Sequence, residues 1–360
     1  MRPTCLLSAL IQEYCAALQR DKPADEGTQK KYRDALDTML RLLGDREISD
    51  YTRQDLVALK TNLYRWPANV NKLAECSGKT AAEILRMKTV KTLDKRTVGS
   101  KYMEKIIAVF QYAFRHDLIA VDITQNIVKT VTVAEKKASR RKPYDIEDLK
   151  KIFGSLPVHP ERPHLAWVPL IAAYSGARQG EICRLKISDI TVDQRLPSML
   201  VTEEDDNGTI VKNLRGETSR RLVPLHPLLV ETGLLQFIAM RKARGRELLF
   251  ELHPKGGEES TPLSGEYYRQ TFEAFNRKHV THDLRKGFQS FRYNVHHALG
   301  LKSVPPELCF AITGHVPQDD SEQALAENKR LEEKYNALVQ LTYPGLDLTE
   351  FKGKLAILNS

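Results

Sequence analysis

Three short segments carry side chains suited to work on an anion. The first is Ser175-Gly176-Ala177-Arg178-Gln179-Gly180-Glu181, in which a glycine turn ends one helix and Arg178 opens the next. A guanidinium there lies beside helix-start N–H groups that lack an intrahelical acceptor, and both favour negative charge. The second is Thr281-His282-Asp283-Leu284-Arg285. Thr281 is a capping residue, and the three-residue spacing predicts His282 and Arg285 on one helix face. The third is Thr313-Gly314-His315. Guanidinium groups bind oxyanions bidentately and imidazoles exchange protons near neutral pH, so these residue types suit phosphate or carboxylate chemistry. Singly none of the segments is specific; their order and setting carry the information.

The elements that must position them are legible as hydrophobic patterns. Asp145 can cap a helix through Ile146, Leu149, Ile152 and Phe153. Pro163 opens an almost wholly apolar helix through Leu165, Trp167, Val168, Leu170, Ile171 and Tyr174, which therefore belongs in a core, with Pro169 bending it. A strand-rich patch follows, with Met199-Leu200-Val201, the turn signal Asn207-Gly208, Ile210-Val211 and Leu222-Val223-Pro224-Leu225. From Ser264 to about Leu341 the pattern is helical again. Residues 1–135 also read as helical, with Tyr32, Leu36, Met39, Leu40 and Leu43 at helical spacing and a more deeply buried run from Ile106 to Phe114. Between these halves lies a basic stretch, Lys136, Lys137, Arg140, Arg141 and Lys142, ended by Pro143. It reads either as a solvated linker or as a strap lying on a phosphate backbone, and both readings make it a domain boundary.

Composition narrows the classes of function. At 360 residues the chain suits two domains, and its 41% hydrophobic and 28% charged content is that of a globular protein. Lysine and arginine exceed aspartate and glutamate by 55 to 46, a net charge of +9, which favours a polyanionic partner. No apolar stretch is long enough to cross a membrane, and the opening residues lack the pattern of a signal peptide, so a cytoplasmic location is expected. Five scattered cysteines without a C-x-x-C pair, and ten histidines without ligand spacing, predict neither disulfides nor a metal site, and no cofactor.

An apolar helix leading into S-G-x-R-x-x-E, three strands, then T-H-D-L-R and G-H resemble the catalytic domain of tyrosine recombinases, the phage-integrase type, over about residues 145–345. The segment Ser219-Arg220-Arg221-Leu222-Val223-Pro224-Leu225-His226-Pro227 and the tail from Tyr343 to Leu348 are similar to stretches in phage-type integrases. The resemblance implies a mainly α fold with a small antiparallel β-sheet in two domains. Residues 1–135 would form a helical, DNA-embracing core-binding domain. Residues 136–144 would be a basic interdomain linker, 145–345 the catalytic domain and 346–360 a tail. It also implies double-stranded DNA as partner, a homo-multimer (a tetramer) on DNA, and recombination or integration as for a mobile element. A tyrosine would hold the phosphate covalently, which conserves the phosphodiester energy without a cofactor or metal. Arg178 and Arg285 would clamp the non-bridging oxygens, His282 and His315 would donate hydrogen bonds and move protons, and a hairpin lysine would protonate the leaving oxygen.

Two positions depart from the family pattern. The nucleophilic tyrosine of the family stands about nine residues after the Gly-His histidine, where this chain has Ala324. The later tyrosines are Tyr335, on an expected helix, and Tyr343, in a tail suited to packing; Tyr335 is the candidate nucleophile. Where the lysine is expected stands Arg215, a poor general acid, and Lys212 nearby is the candidate instead. Both departures act on the bridging oxygens, so a degenerate relative that binds and organises DNA is the alternative reading.

Overall fold

The computed structural model describes residues 5–21, 26–87, 91–127, 141–191, 196–202, 220–251, 265–314 and 329–359. The chain divides into two compact units, Met1–Ala138 and Ser139–Ser360. The fold is mainly helical with one small antiparallel sheet, as the sequence predicts.

The first unit is a helical cluster of α1 (Leu7–Asp21), α2 (Glu26–Leu43), α3 (Arg53–Arg65) and α4 (Ala81–Arg86). A π-helical stretch, Val98–Met103, then leads into α5 (Glu104–Arg115). Thr52 and Thr80 start α3 and α4 with reciprocal capping boxes to Asp55 and Glu83, which satisfies N–H groups that the helix cannot. Ile106, Ile107, Val109, Phe110 and Ala113 of α5 are buried, and α1 and α2 pack on that helix. The apolar run read in the sequence is thus the core of this unit.

The second unit is built around a single apolar helix. Asp145 begins α6 (Ile146–Ser155) with a capping box to Asp148. The next helix, α7 (His164–Ser175), runs through Pro169, and all of its residues but Leu165 are buried. A helix apolar on every face must be enclosed on every face. Accordingly α8 (Gln179–Cys183), α9 (Pro227–Glu231) and α12 (Ser290–Leu301) pack against α7. The remaining helices are α10 (Leu234–Ala243), α11 (Gly265–His279), α13 (Pro306–Thr313), α14 (Leu331–Leu338) and α15 (Thr349–Leu355).

The sheet has the order β1 (Ile190–Thr191), β2 (Ser198–Val201), β3 (Arg221–Pro224). β2 and β3 pair with Met199 opposite Val223 and Val201 opposite Arg221. Because side chains alternate along a strand, this register puts Arg221 on the same inward face as Val223. β1 is two residues long and was not expected. The expected turn at Asn207-Gly208 and strand at Ile210-Val211 lie outside the described residues.

One sequence expectation is corrected here. The pattern from Ser264 to Leu341 is not continuously helical, and Thr281–Arg285 forms turns between α11 and α12. Thr281 Oγ1 accepts the Asp283 N–H and Asp283 Oδ1 accepts the Arg285 N–H. These short side chains capture backbone donors that a helix would need, so His282 and Arg285 do not share a helix face. Among the described residues no helix is long and apolar enough to cross a membrane.

Three imidazoles are built into this second core. His226 Nδ1 accepts the Leu228 N–H, so Nε2 carries the proton and donates to Leu341 O at 3.2 Å. His296 Nε2 lies 2.7 Å from Thr313 Oγ1, whose own proton goes to Cys309 O, so His296 is the donor. Burial holds His164, His226 and His296 down to about 4 each. The unfolded chain titrates near 6.5, so on acidification the unfolded state takes up these protons first. The stability they contribute is complete above about pH 6.5 and is lost as the pH falls towards 4. Denaturant unfolding is therefore expected to show a loss between pH 7 and pH 5 on the order of 1–3 kcal/mol per imidazole. The loss should be smaller in His164→Phe, and a flat profile would contradict neutral buried histidines.

Candidate active site

The apolar helix α7 ends where Gly176 turns left-handed, at φ +67. A Cβ on Gly176 would stand 2.6 Å from Thr313 Cγ2, so only glycine lets the end of α7 meet the end of α13. The chain then delivers Arg178 as the residue that caps α8. The helix-start N–H expected to face an anion is already taken: Glu181 Oε2 accepts the Arg178 N–H at 2.7 Å. Arg178 Nη1 donates to Glu181 Oε1 at 2.6 Å and Nη2 donates to Gly314 O at 2.7 Å.

Glu181 is the hub of this cluster. Its side chain is wholly buried and takes a second guanidinium, Arg221, whose Nη2 lies 2.8 Å from Oε2. Burial alone raises the Glu181 carboxyl, but Arg221 and Arg178 outweigh it and hold the group below its ordinary range. Arg221 also donates from Nε to Ile312 O at 2.9 Å. Gly314, left-handed at φ +61, lies flat on that guanidinium: a Cβ would come within 2.5 Å of Arg221 Nη1. Arg221 thus fixes the chain that leads into His315, and Arg178 holds the same turn through its carbonyl.

Arg292, on α12, completes the group of guanidiniums. Its Nε and Nη2 are sealed from solvent and have no hydrogen-bond partner among the described residues. Burial, with the charge of Arg178 next in weight, pulls its pKa down to about 9, so it remains a cation at neutral pH. Lys334, buried on α14, donates to Leu222 O at 3.4 Å; burial and the charge of Arg221 lower its pKa.

The sequence-predicted residues are distributed as follows. Arg178 and the Thr313-Gly314 turn meet; His315 itself and Lys212 lie outside the described residues. His282 is exposed. Arg285 is engaged by Asp283, which receives its Nε at 2.9 Å and its Nη2 at 2.7 Å. Tyr335 is half-buried on α14 and lies off that helix's core side, which consists of Lys334, Ala337 and Leu338. Its helix packs on β3 and α13, the elements that carry Arg221 and lead into Gly314. Tyr343 does otherwise: its hydroxyl donates to Ala173 O at 2.6 Å, its ring packs edge-on against Tyr174, and burial pushes the phenol well above 10. Of the basic stretch, Lys136, Lys137 and Arg140 lie outside the described residues. Arg141 Nη1 donates to Leu284 O and the Lys142 N–H donates to Arg285 O. Sequence reasoning missed the roles of Glu181, Arg221 and Arg292. The available signal was a charge at a core position: Arg292 stands four after Phe288 and three before Val295, both buried.

With this geometry in hand, solved structures offer a comparison. The chain is similar to a lambda integrase dimer bound to a COC' core site, at 16% identity and TM-score 0.54, covering 91% of this chain and 96% of that one. It is similar to the Tn1549 transposon integrase in complex with a circular intermediate DNA, at 12% identity and TM-score 0.56, covering 97% and 99%. A lambda integrase tetramer bound to a Holliday junction gives 15% identity and TM-score 0.54, over 91% of this chain and 79% of that one. No protein-family model and no curated protein matches the chain. The likenesses define the fold: this is the tyrosine-recombinase fold.

The cluster gives a direct expectation. Glu181→Gln keeps the shape but removes the charge shared by two guanidiniums, one of them buried. Stability is expected to fall by about 3–5 kcal/mol in denaturant unfolding, as when one partner of a buried pair is removed. A change within about 0.5 kcal/mol, the range of ordinary surface substitutions, would contradict the hub.

Proposed function

We propose that this chain is a site-specific DNA recombinase that cuts and rejoins strands through a 3′-phosphotyrosyl intermediate without a metal ion. The observation that carries the reading is the contact of Arg178 with Gly314 O, which sets the turn leading to His315 beside the candidate phosphate-binding guanidinium. The likeness of the fold to integrases whose structures contain DNA supports it, and so does the net charge of +9.

In this mechanism the Tyr335 oxygen attacks phosphorus in line, the bond to the 5′-oxygen breaks, and the phosphate stays joined to the 3′ end. A base takes the tyrosyl proton and an acid returns one to the departing 5′-oxygen. His282, His315 and Lys212 are the proposed groups for these transfers. Charge that develops on the non-bridging oxygens is met by guanidiniums, Arg178 first, with Arg285 the sequence-based candidate for the second. Reversal, with a 5′-hydroxyl from another duplex attacking the phosphotyrosine, exchanges strands; two duplexes require several copies, a homo-tetramer on DNA. The basic residues 136–142 would contact backbone phosphates, and the work would be done in the cytoplasm. A DNA-organising relative that does not cleave is the outcome if no adduct forms.

The test uses the full chain and a pool of nicked duplexes of random sequence, from which religation is blocked. A covalent protein–DNA adduct that survives chelator is expected, with the nucleotide on Tyr335 by mass spectrometry. Tyr335→Phe should bind the pool with unchanged affinity and form no adduct. Tyr343→Phe should form the adduct and lose about 1 kcal/mol of stability, the worth of one hydrogen bond. An adduct mapped to Tyr343, or one that depends on magnesium, would overturn the reading.

A further inference from the structure

We propose that Arg141 is a positioning residue: its guanidinium holds the turn of residues 281–287, and with it His282, in place for strand cleavage, and it does not bind a backbone phosphate. The proposal rests on the recombinase reading for the reaction and departs from it at Arg141, the second arginine of the basic stretch.

The turn is held through its backbone. Three consecutive carbonyls, those of Leu284, Arg285 and Lys286, each accept a donor from outside the turn. Arg141 Nη1 donates to the first at 2.8 Å, the Lys142 N–H to the second at 3.1 Å, and Asn276 Nδ2, on α11, to the third at 3.2 Å. The chain that supplies the first two donors is itself fixed two residues further on. The Tyr144 N–H donates to Asn294 Oδ1 at 2.9 Å, Asn294 Nδ2 returns a bond to Tyr144 O at 2.7 Å, and the Tyr144 hydroxyl donates to Asn276 Oδ1 at 2.9 Å. Tyr144, Asn276 and Asn294 are buried. Lys286 closes the frame by donating to Asp145 at 2.8 Å and to Asp148, the pair that caps α6. Within this frame Arg141 is exposed and lies over Gly287, where a Cβ would stand 3.8 Å from Nη1.

The turn needs such an anchor. Thr281 and Asp283 satisfy its N–H groups from within, which leaves its carbonyls to find donors elsewhere. Packing does not hold its tip, because Leu284 is 76% exposed. Arg285 cannot help, since Asp283 takes its Nε and Nη2. Arg141 supplies the donor at the tip, and a guanidinium that swung out to a phosphate would leave Leu284 O open. Proton transfer is sensitive to such slack: a displacement of about 1 Å in a reacting group can cost on the order of a hundredfold in rate. A basic residue in a DNA-binding chain invites the phosphate reading, and its hydrogen bond to a carbonyl is what separates the two roles.

The experiment compares the full chain with Arg141→Ala and Arg141→Lys; the side chain is exposed, so both replacements leave the core intact. Three quantities are read: deuterium exchange of the peptide spanning the turn, duplex affinity against salt, and the rate of adduct formation with the nicked-duplex pool. In Arg141→Ala the turn amides should exchange about fivefold faster, the effect of one lost hydrogen bond. The adduct should form on the order of tenfold to a hundredfold more slowly. The slope of log K against log salt should not change, whereas loss of a phosphate contact would reduce it by about 0.9. Arg141→Lys retains a donor and should recover much of both the protection and the rate. A slope reduced by about 0.9 in Arg141→Ala overturns the proposal, as does wild-type exchange at the turn. Faster exchange with no adduct from any protein, the wild type included, keeps Arg141 as the anchor of the turn and discards the recombinase. An adduct formed by Arg141→Ala at the wild-type rate keeps the recombinase and discards the positioning role.

Discussion

The Glu181 carboxylate lies wholly out of solvent between two guanidiniums, and the geometry of the second unit follows from satisfying it. Arg178 comes to it from the end of α7, Arg221 from the inward face of β3, and the turn after α13 is held by both arginines. A carboxylate in such a place is tolerable only when its partners are fixed, because its desolvation is not recovered by a loose pair. The requirement explains the left-handed glycines at 176 and 314. Gly176 lets α7 and α13 approach, and Gly314 lets a backbone lie against the face of Arg221.

A positive surplus is the second consequence. Among the described residues one carboxylate faces three guanidiniums, and the Nε and Nη2 of Arg292 have no hydrogen-bond partner there. Electrostatic stabilisation of a phosphoryl transition state needs donors held in place before the substrate arrives, in a site from which water is excluded. Arg178 is immobilised by Glu181 and Gly314, with about a third of its side chain still exposed. Tyr343, by contrast, spends its hydroxyl on a carbonyl of α7 and belongs to the core.

Much of this was legible in the sequence because apolar periodicity is a local property. The apolar run after Pro163 reads as a buried helix, and Asp145 marked the start of the one before it. Arg178 and the Thr313-Gly314 turn were picked out by the order and setting of the segments that hold them, since neither segment is specific by itself. Three things were not legible. β1 is too short to carry an alternation. Thr281 and Asp283 capture backbone donors, and that competition is invisible to a helical-spacing argument. Arg221 and Arg292 are charges on buried faces, and a hydrophobic pattern treats them as interruptions when they are what the surrounding pattern exists to hold.

Everything in the second unit turns on a Glu181 carboxylate that stays ionised between Arg178 and Arg221. The most direct measurement is the carbon-13 shift of the Glu181 side-chain carboxyl followed against pH in the full chain, with the resonance assigned by its loss in Glu181→Gln. The carboxyl is expected to remain ionised to a pH below its ordinary range, because the two guanidiniums outweigh its burial. A carboxyl that takes up its proton above that range would contradict the account.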